Sequence, residues 1–562
     1  MNHTFNPKIL CLFLIPFFAN PSGIFAQENK HLSKQELIED ARQMLNLLEN
    51  VHPQPYYNGG GKMAFHQRFQ NVLRAIPKDG MTREDFRGLL SPLLASVGDG
   101  HTYVYPDSPL DFSGIPLLFY VVEKNLFVSA VTEEKYKYLF GARLISVEGV
   151  PFDEIVRRTK LYYGADNLYG TLAQLANFEL FLAKKRVLED LIPEWKNQAY
   201  INATFLMPDG KTREVKFQAK PRPNFSLIRP NPGMELPSLN GLEFGWGFLS
   251  GDKDIAYLRV QGMTENRETY EKRGTFSDVS EEARNFYSRV YGKETKESVD
   301  KVIEKLPSLS ESYRNLVVQM KKNRTRALVI DLRTNVGGWA IASDMLIYYL
   351  YGKEALIELH RKTNIAVRKL SPYYLQNEPD GSLSEINAPS AYGERPFKLH
   401  ENDYDFRDYE KLKNGKLDRE YAKQIVENDL ALSKTFYQEY TKGAYSNYYC
   451  PEKVFVVTDV ATFSAGFMFA KYLELMGAIT VGSTPSQNTM QMGETVHYEL
   501  KNSKLYGSIS HSFLVHDAKL LNSPNPKNLL TPQYELTYDK LKEFKFARHA
   551  VIQYIMELLN MK

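Results

Sequence analysis

The sequence predicts an α/β fold in which a helix-covered parallel sheet carries a helical N-terminal segment and a small β module. Three observations lead there. At 327–332 and again at 454–457, a short apolar segment passes through a turn into an apolar helix, the pattern of a parallel sheet with covering helices. Before residue 94 the apolar residues recur at helical spacing. Between 114 and 220 they recur in short alternating runs.

Lys8 precedes an apolar run over 9–19 and a Pro/Ser/Gly stretch ending in Ile24-Phe25-Ala26, which predicts a signal peptide over 1–26. The run is well short of the roughly 20 apolar residues that a spanning helix needs. No second hydrophobic span follows, so an exported protein, periplasmic or extracellular, is expected. Cys11 leaves with the signal, so the mature chain keeps Cys450 alone and can form no internal disulfide. With 70 Lys and Arg against 67 Asp and Glu, the formal net charge is +3, and no electrostatic footprint for nucleic acid is present.

A helical segment over 27–110 opens with Ser33 three before Glu36, a capping box, followed by Leu37, Ala41, Met44, Leu45 and Leu48. A second helix starting at Thr82 or Arg83 ends in the turn Gly98-Asp99-Gly100-His101-Thr102. The β module, 111–222, is expected to hold strands at 116–122, 126–131, 200–207 and 213–218 and a helix over 152–160. A Pro/Asn-rich linker leads into the core, 223–562. There helices are expected over 339–351 and 464–476 and a strand at 478–481. The polar, tyrosine-rich stretch 356–449 reads as an insertion without sheet pattern, with helices near 418–440.

Three features could carry chemistry. Ser464, in Thr462-Phe463-Ser464-Ala465-Gly466, stands between a buried strand and an apolar helix. There a side chain and the unpaired N–H groups of a helix start face one small volume, offering a nucleophile and oxyanion donors. The alternative is an N-cap serine. Asp331-Leu332-Arg333-Thr334-Asn335-Val336-Gly337-Gly338 also leaves a strand, and its paired glycines allow close backbone approach to a ligand. The alternative is an ordinary turn with Asp331 and Arg333 in structural ion pairs. His101 can take a serine proton near neutral pH, or can simply pack beside a helix end.

Together these segments, in this order, resemble the serine peptidase family that includes the C-terminal processing proteases, the tricorn core and a retinoid-binding protein. Further likeness lies in a PDZ-like module around residues 139–155, in the segment 481–488 and in the closing stretch 529–539. The resemblance implies a crotonase-like β/α peptidase core and cleavage of unfolded or C-terminally exposed polypeptides. It further implies Ser464 as nucleophile and an oxyanion hole from Gly337, Gly338 and Ala465.

One branch of the family uses a lysine downstream of the serine, but residues 481–489 contain none. The tricorn-like branch uses a histidine in the N-terminal turn, where His101 stands. That branch orients its base with a glutamate before the closing motif. Here 521–528 has no acid, leaving Asn522, Asn525 or nearby Asp517 as candidates, and Gln533 replaces the usual aspartate. Phe467 stands where relatives often carry glutamate. The PDZ-like module could capture a peptide terminus by strand addition, or be a small β domain that only shields the cleft.

A polypeptide substrate is therefore expected, with no cofactor and no metal. His511 and His516 are five apart in a predicted strand, on opposite faces. A second class of function is a binding protein for a peptide or lipophile on the same fold without turnover.

Overall fold

The computed structural model describes residues 31–105, 113–176, 185–195, 198–220, 226–274, 278–363, 365–377, 383–388, 397–442, 448–523 and 528–560. The signal segment expected at 1–26 lies outside them.

At the centre, the described residues form a six-stranded sheet in the order Phe244–Phe248, Ile255–Val260, Ala327–Asp331, Lys453–Thr458, Ile479–Gly482, Tyr534–Glu535. The first pair is antiparallel and the others are parallel. Because side chains alternate across a strand, an unbroken apolar run serves a sheet covered on both faces. Leu328, Ile330, Val454 and Val456 pack against helices Leu309–Asn323, Ile341–Tyr351 and Ala465–Leu475. Val329, Phe455, Val457 and Val481 face the opposite way, onto helix Ala550–Asn560 and onto Val122 and Phe127 of the small β module. The expected α/β class is the one observed.

The N-terminal segment folds as helices Lys34–Val51, Gly61–Ala75 and Arg83–Ala95. Its capping box forms, with the Ser33 N–H donating to Glu36 Oε2 at 2.8 Å and the Glu36 N–H to Ser33 Oγ at 3.4 Å. Leu37, Met44, Leu48, Phe86 and Leu90 pack with Val496, Tyr498 and Ile509, so these helices dock on the late hairpin Met490–Glu499 and Tyr506–Val515. The small module has strands Leu117–Val122, Asn125–Val131, Arg143–Val147, Tyr200–Leu206 and Thr212–Gln218, with helices Phe152–Tyr162 and Leu168–Ala176 against it.

One expectation is corrected. The stretch 356–449 contributes a strand, Ile365–Lys369, paired antiparallel to Tyr506–Val515 with Ile365 opposite Val515. The strand is short and ends in two cations, which hides its alternation; Arg368 reaches across the sheet to Glu494 at 2.9 Å. Helices Arg419–Ala431 and Lys434–Lys442 fall where helices are expected. Helices Arg267–Arg273, Ser280–Tyr291 and Val299–Lys305 occupy a polar stretch in which sequence periodicity identifies no element.

Candidate active site

Strand Lys453–Thr458 leaves the sheet into a turn that delivers Ser464 to the start of helix Ala465–Leu475. Thr462 is fully buried and its hydroxyl donates to the Leu332 carbonyl at 3.0 Å, tying this turn to the neighbouring 332–338 loop. Ser464 occupies the N-cap position yet does not act as a cap. Its φ of 52° and ψ of −128° are far from the extended backbone of a capping serine, and its side chain accepts no helix N–H. A non-glycine residue in this region is strained, and strain held by surrounding structure is a feature of exposed nucleophiles at strand-to-helix turns.

Gly466 allows the turn to close, because a Cβ there would lie 2.4 Å from the Asn335 carbonyl oxygen and 2.6 Å from its Oδ1. Gly466→Ala is therefore expected to cost about 1–3 kcal/mol in denaturant unfolding. It should also remove turnover in the fraction that remains folded, by displacing Ser464.

His101 comes from the turn after helix Arg83–Ala95, and buried Asp99 builds that turn. Asp99 Oδ1 accepts the His101 N–H at 2.9 Å, and Oδ2 accepts the hydroxyls of Thr102 at 2.5 Å and Ser510 at 2.7 Å. The Ser508 hydroxyl donates to the His101 carbonyl at 2.6 Å. The ring of Phe463 stacks on the imidazole at 4.5 Å between centroids. So held, His101 Nε2 lies 3.1 Å from Ser464 Oγ.

The expected oxyanion amides differ among themselves. The Gly337 N–H is already bonded to Asn335 Oδ1 at 2.9 Å. Gly338 and Ala465 have no acceptor for their N–H among the described residues. Gly337 still serves by closeness, since a Cβ on it would meet Ser464 Cβ and the Ala465 nitrogen at 2.8 Å. Phe467 is fully buried in the core against the adjacent helices, which suits an apolar side chain there.

Residues 254–510 match the model of peptidase family S41. The core is that of an S41 peptidase. The fold of the chain is similar to that of mature CPAF complexed with lactacystin, with a TM-score of 0.51 and 13% identity over 94% of this chain and 99% of that one. A mutant of CPAF gives a TM-score of 0.50 at 12% identity, covering 93% and 98%. A photosystem II D1 C-terminal processing protease aligns at a TM-score of 0.36 and 12% identity over 91% and 95%. No match is found among curated proteins.

The S41 match makes the protein a serine peptidase. Among the described residues, neither Asp517 nor Asn522 is bonded to His101. Asp517 caps the Lys519 N–H at 3.1 Å and faces Lys471 at 3.6 Å, Asn522 lies beside Gly415, and Asn525 is outside the described residues. Instead, fully buried Gln487, from the lysine-free segment 481–489, approaches His101 Nδ1 with Nε2 at 3.4 Å while its Oε1 accepts the Ser464 N–H. Asp99 Oδ1 is 3.8 Å from Nδ1, beyond hydrogen-bond length.

Burial holds the His101 pKa below its ordinary 6.5, against Asp99 and the Met492 carbonyl, which favour the protonated ring. Burial acts on Asp166 too, and with Asp99 beside it raises that carboxyl well above 3.8. Asp99, His101 and Asp166 have ligand atoms within 4.8 Å of one another. Those of Asp99 and His101 are already engaged as described, and Asp166 Oδ2 accepts the Gly100 N–H at 3.3 Å.

Proposed function

We propose that Ser464 attacks the scissile carbonyl of an unfolded or C-terminally exposed polypeptide to give an acyl-enzyme, with His101 as base and then acid. Gly338 and Ala465 supply amides for the oxyanion. The observation that carries this reading is the 3.1 Å contact between His101 Nε2 and the hydroxyl of a strained serine that caps nothing. Treatment with a fluorophosphonate and peptide mapping tests it. The adduct is expected on Ser464 and to be lost in His101→Ala; labelling elsewhere, or nowhere, would sink the assignment. The small β module is read as PDZ-like, a clamp for the substrate terminus, and export through the 1–26 segment predicts a mature chain starting at Gln27.

Gln487 governs which tautomer of His101 rests in the site. The Ser464 N–H can only donate, so the amide oxygen of Gln487 faces it and the amide nitrogen faces Nδ1. Nδ1 is then an acceptor and the proton sits on Nε2, where it points at Ser464 rather than accepting from it. Turnover needs the other tautomer, with Asp99 Oδ1 as the nearest carboxylate to Nδ1.

A pH prediction follows. The base must be neutral and its pKa is lowered, so the acid limb of kcat/KM should lie below pH 6.5. Gln487→Glu puts a carboxylate that accepts from both Ser464 N–H and Nδ1–H. It is expected to move that limb to higher pH and to raise the plateau rate. An unchanged limb would show that Gln487 does not set the tautomer.

A further inference from the structure

Outside the carboxyl ends of strands Ala327–Asp331, Lys453–Thr458 and Ile479–Gly482 lies a cleft that the catalytic residues do not use. Its walls include Tyr120, Arg333, Asp459, Ser483 and Arg548. Crevices at this edge of a parallel sheet are where ligands of open α/β folds bind.

Two guanidiniums, those of Arg333 and Arg548, line it, and Arg259 and Arg229 stand next to them. Arg333 grips Asp331 through two bonds of 2.9 and 2.6 Å, and Arg259 reaches the same carboxylate at 3.1 Å. Arg333 Nη1 is 3.5 Å from the Arg548 carbonyl, which also accepts the Tyr120 hydroxyl at 3.5 Å. The 229–232 segment is stitched to 548–549 by the bonds Arg548 N–H to Asn231 O and His549 N–H to Pro232 O, both 3.1 Å, which brings Arg229 alongside. Burial, then Arg548 and Arg259, lower the Arg229 pKa, and burial, then Arg259 and Arg333, lower that of Arg548.

Among the described residues the charges do not balance: two carboxylates, Asp331 and Asp459, stand beside the guanidiniums of Arg333, Arg548, Arg259 and Arg229. Asp331 is engaged by Arg333 and Arg259, and Asp459 Oδ1 accepts the N–H groups of Thr334 and Ala461 at 3.0 Å. Among the described residues, neither Arg229 nor Arg548 has an acidic partner or donates a side-chain hydrogen bond. His549 reports the same imbalance: it is buried, its Nδ1 has no partner, and burial together with Arg333 and Arg548 pushes its pKa down to about 3.

We propose that this cleft binds an oxyanion, a carboxylate or phosphate group held between Arg229 and Arg548 with Arg333 and Arg259 behind them. Guanidinium forks match carboxylate and phosphate oxygens in geometry as well as charge. The occupied cleft would abut both loops of the active site, because Thr334 and Asp459 join the 332–338 loop to the turn that carries Ser464. Two sources share this chemistry: the terminal carboxylate of a bound peptide, and free phosphate. Only the peptide source rests on the peptidase reading above.

The test uses the full mature chain carrying Ser464→Ala, so that nothing is cleaved. Calorimetry and thermal unfolding are run with inorganic phosphate, and with a short peptide as free acid and as C-terminal amide, at ionic strength held constant by NaCl. Saturable binding with a rise in Tm is expected, weakened about tenfold or more in Arg229→Gln/Arg548→Gln. Loss of peptide binding on amidation would identify the peptide carboxylate as the ligand. Phosphate binding beside peptide binding indifferent to amidation would identify the free anion. The single variants Arg229→Gln and Arg548→Gln are each read in the same way, which keeps the test valid should the double variant fold poorly. No saturable binding of either probe, or equal binding in the Arg variants, overturns the proposal. Failure of the peptidase reading would show separately, as absent fluorophosphonate labelling of the Ser464 chain.

Discussion

Ser464→Ala is expected to lower kcat/KM on an unfolded protein such as reduced casein by on the order of 10⁴- to 10⁶-fold, and His101→Ala by a comparable factor. The reason is the pairing across 3.1 Å: the hydroxyl is a weak nucleophile until a neighbouring base accepts its proton. The double variant should be no worse than either single one, because residues that act as a unit are lost as a unit. Cleavage is read by intact mass on residues 27–562. Full activity in His101→Ala would remove His101 from the mechanism, and additive losses would mean that the two act independently. If the parent chain cleaves nothing between pH 5 and 9, the binding-protein reading takes its place.

The largest expected loss of stability follows from Asp331→Ala. This fully buried carboxylate holds Arg333 through two bonds, Arg259 at 3.1 Å and the Tyr257 hydroxyl at 2.7 Å. Removing one member of a buried ion pair leaves the others uncompensated, a loss of about 3–5 kcal/mol. Burial alone would raise the Asp331 carboxyl, but Arg333 and Arg259, with bonds from Arg333 and Tyr257, hold it well below 3.8. A depressed carboxyl stabilises the fold at pH above its unfolded value. That contribution is lost as pH falls through the folded value. Urea unfolding at pH 7 and at pH 3 or below therefore separates the causes: the gap between parent and Asp331→Ala should narrow on acidification. A gap that stays constant would assign the loss to packing.

Legibility in the sequence followed the strength of local signals. The strands at 327–331 and 453–458 were readable because their apolar runs are unbroken and each leads into a glycine-bearing turn. Ser464 was readable by position, at the mouth of the second of these turns, and His101 in the glycine-bearing turn after helix Arg83–Ala95. Gln487 was not, since a polar residue in a segment rich in Ser, Thr, Pro and Asn carries no periodicity, and its role exists only through the fold that puts it beside Nδ1. Asp99 did leave a trace. An aspartate two residues before His101 and three before a threonine is the pattern of a side chain closing its own turn, and Asp99 bonds both. The strand Ile365–Lys369 was lost because half of what defines it, the edge of Tyr506–Val515, lies far away in the chain.

The docking of the N-terminal helices on the late hairpin bears on the protein's own safety during manufacture. His101 is made early, but its turn is clasped by Ser508 and Ser510, and Ser464 is itself synthesised long after the histidine. A chain still being translated carries Ser464 and His101 apart from one another. If Ser464 and His101 act as proposed, the site is complete only when the hairpin Met490–Glu499 and Tyr506–Val515 has packed on the N-terminal helices, so that docking is also the arming step.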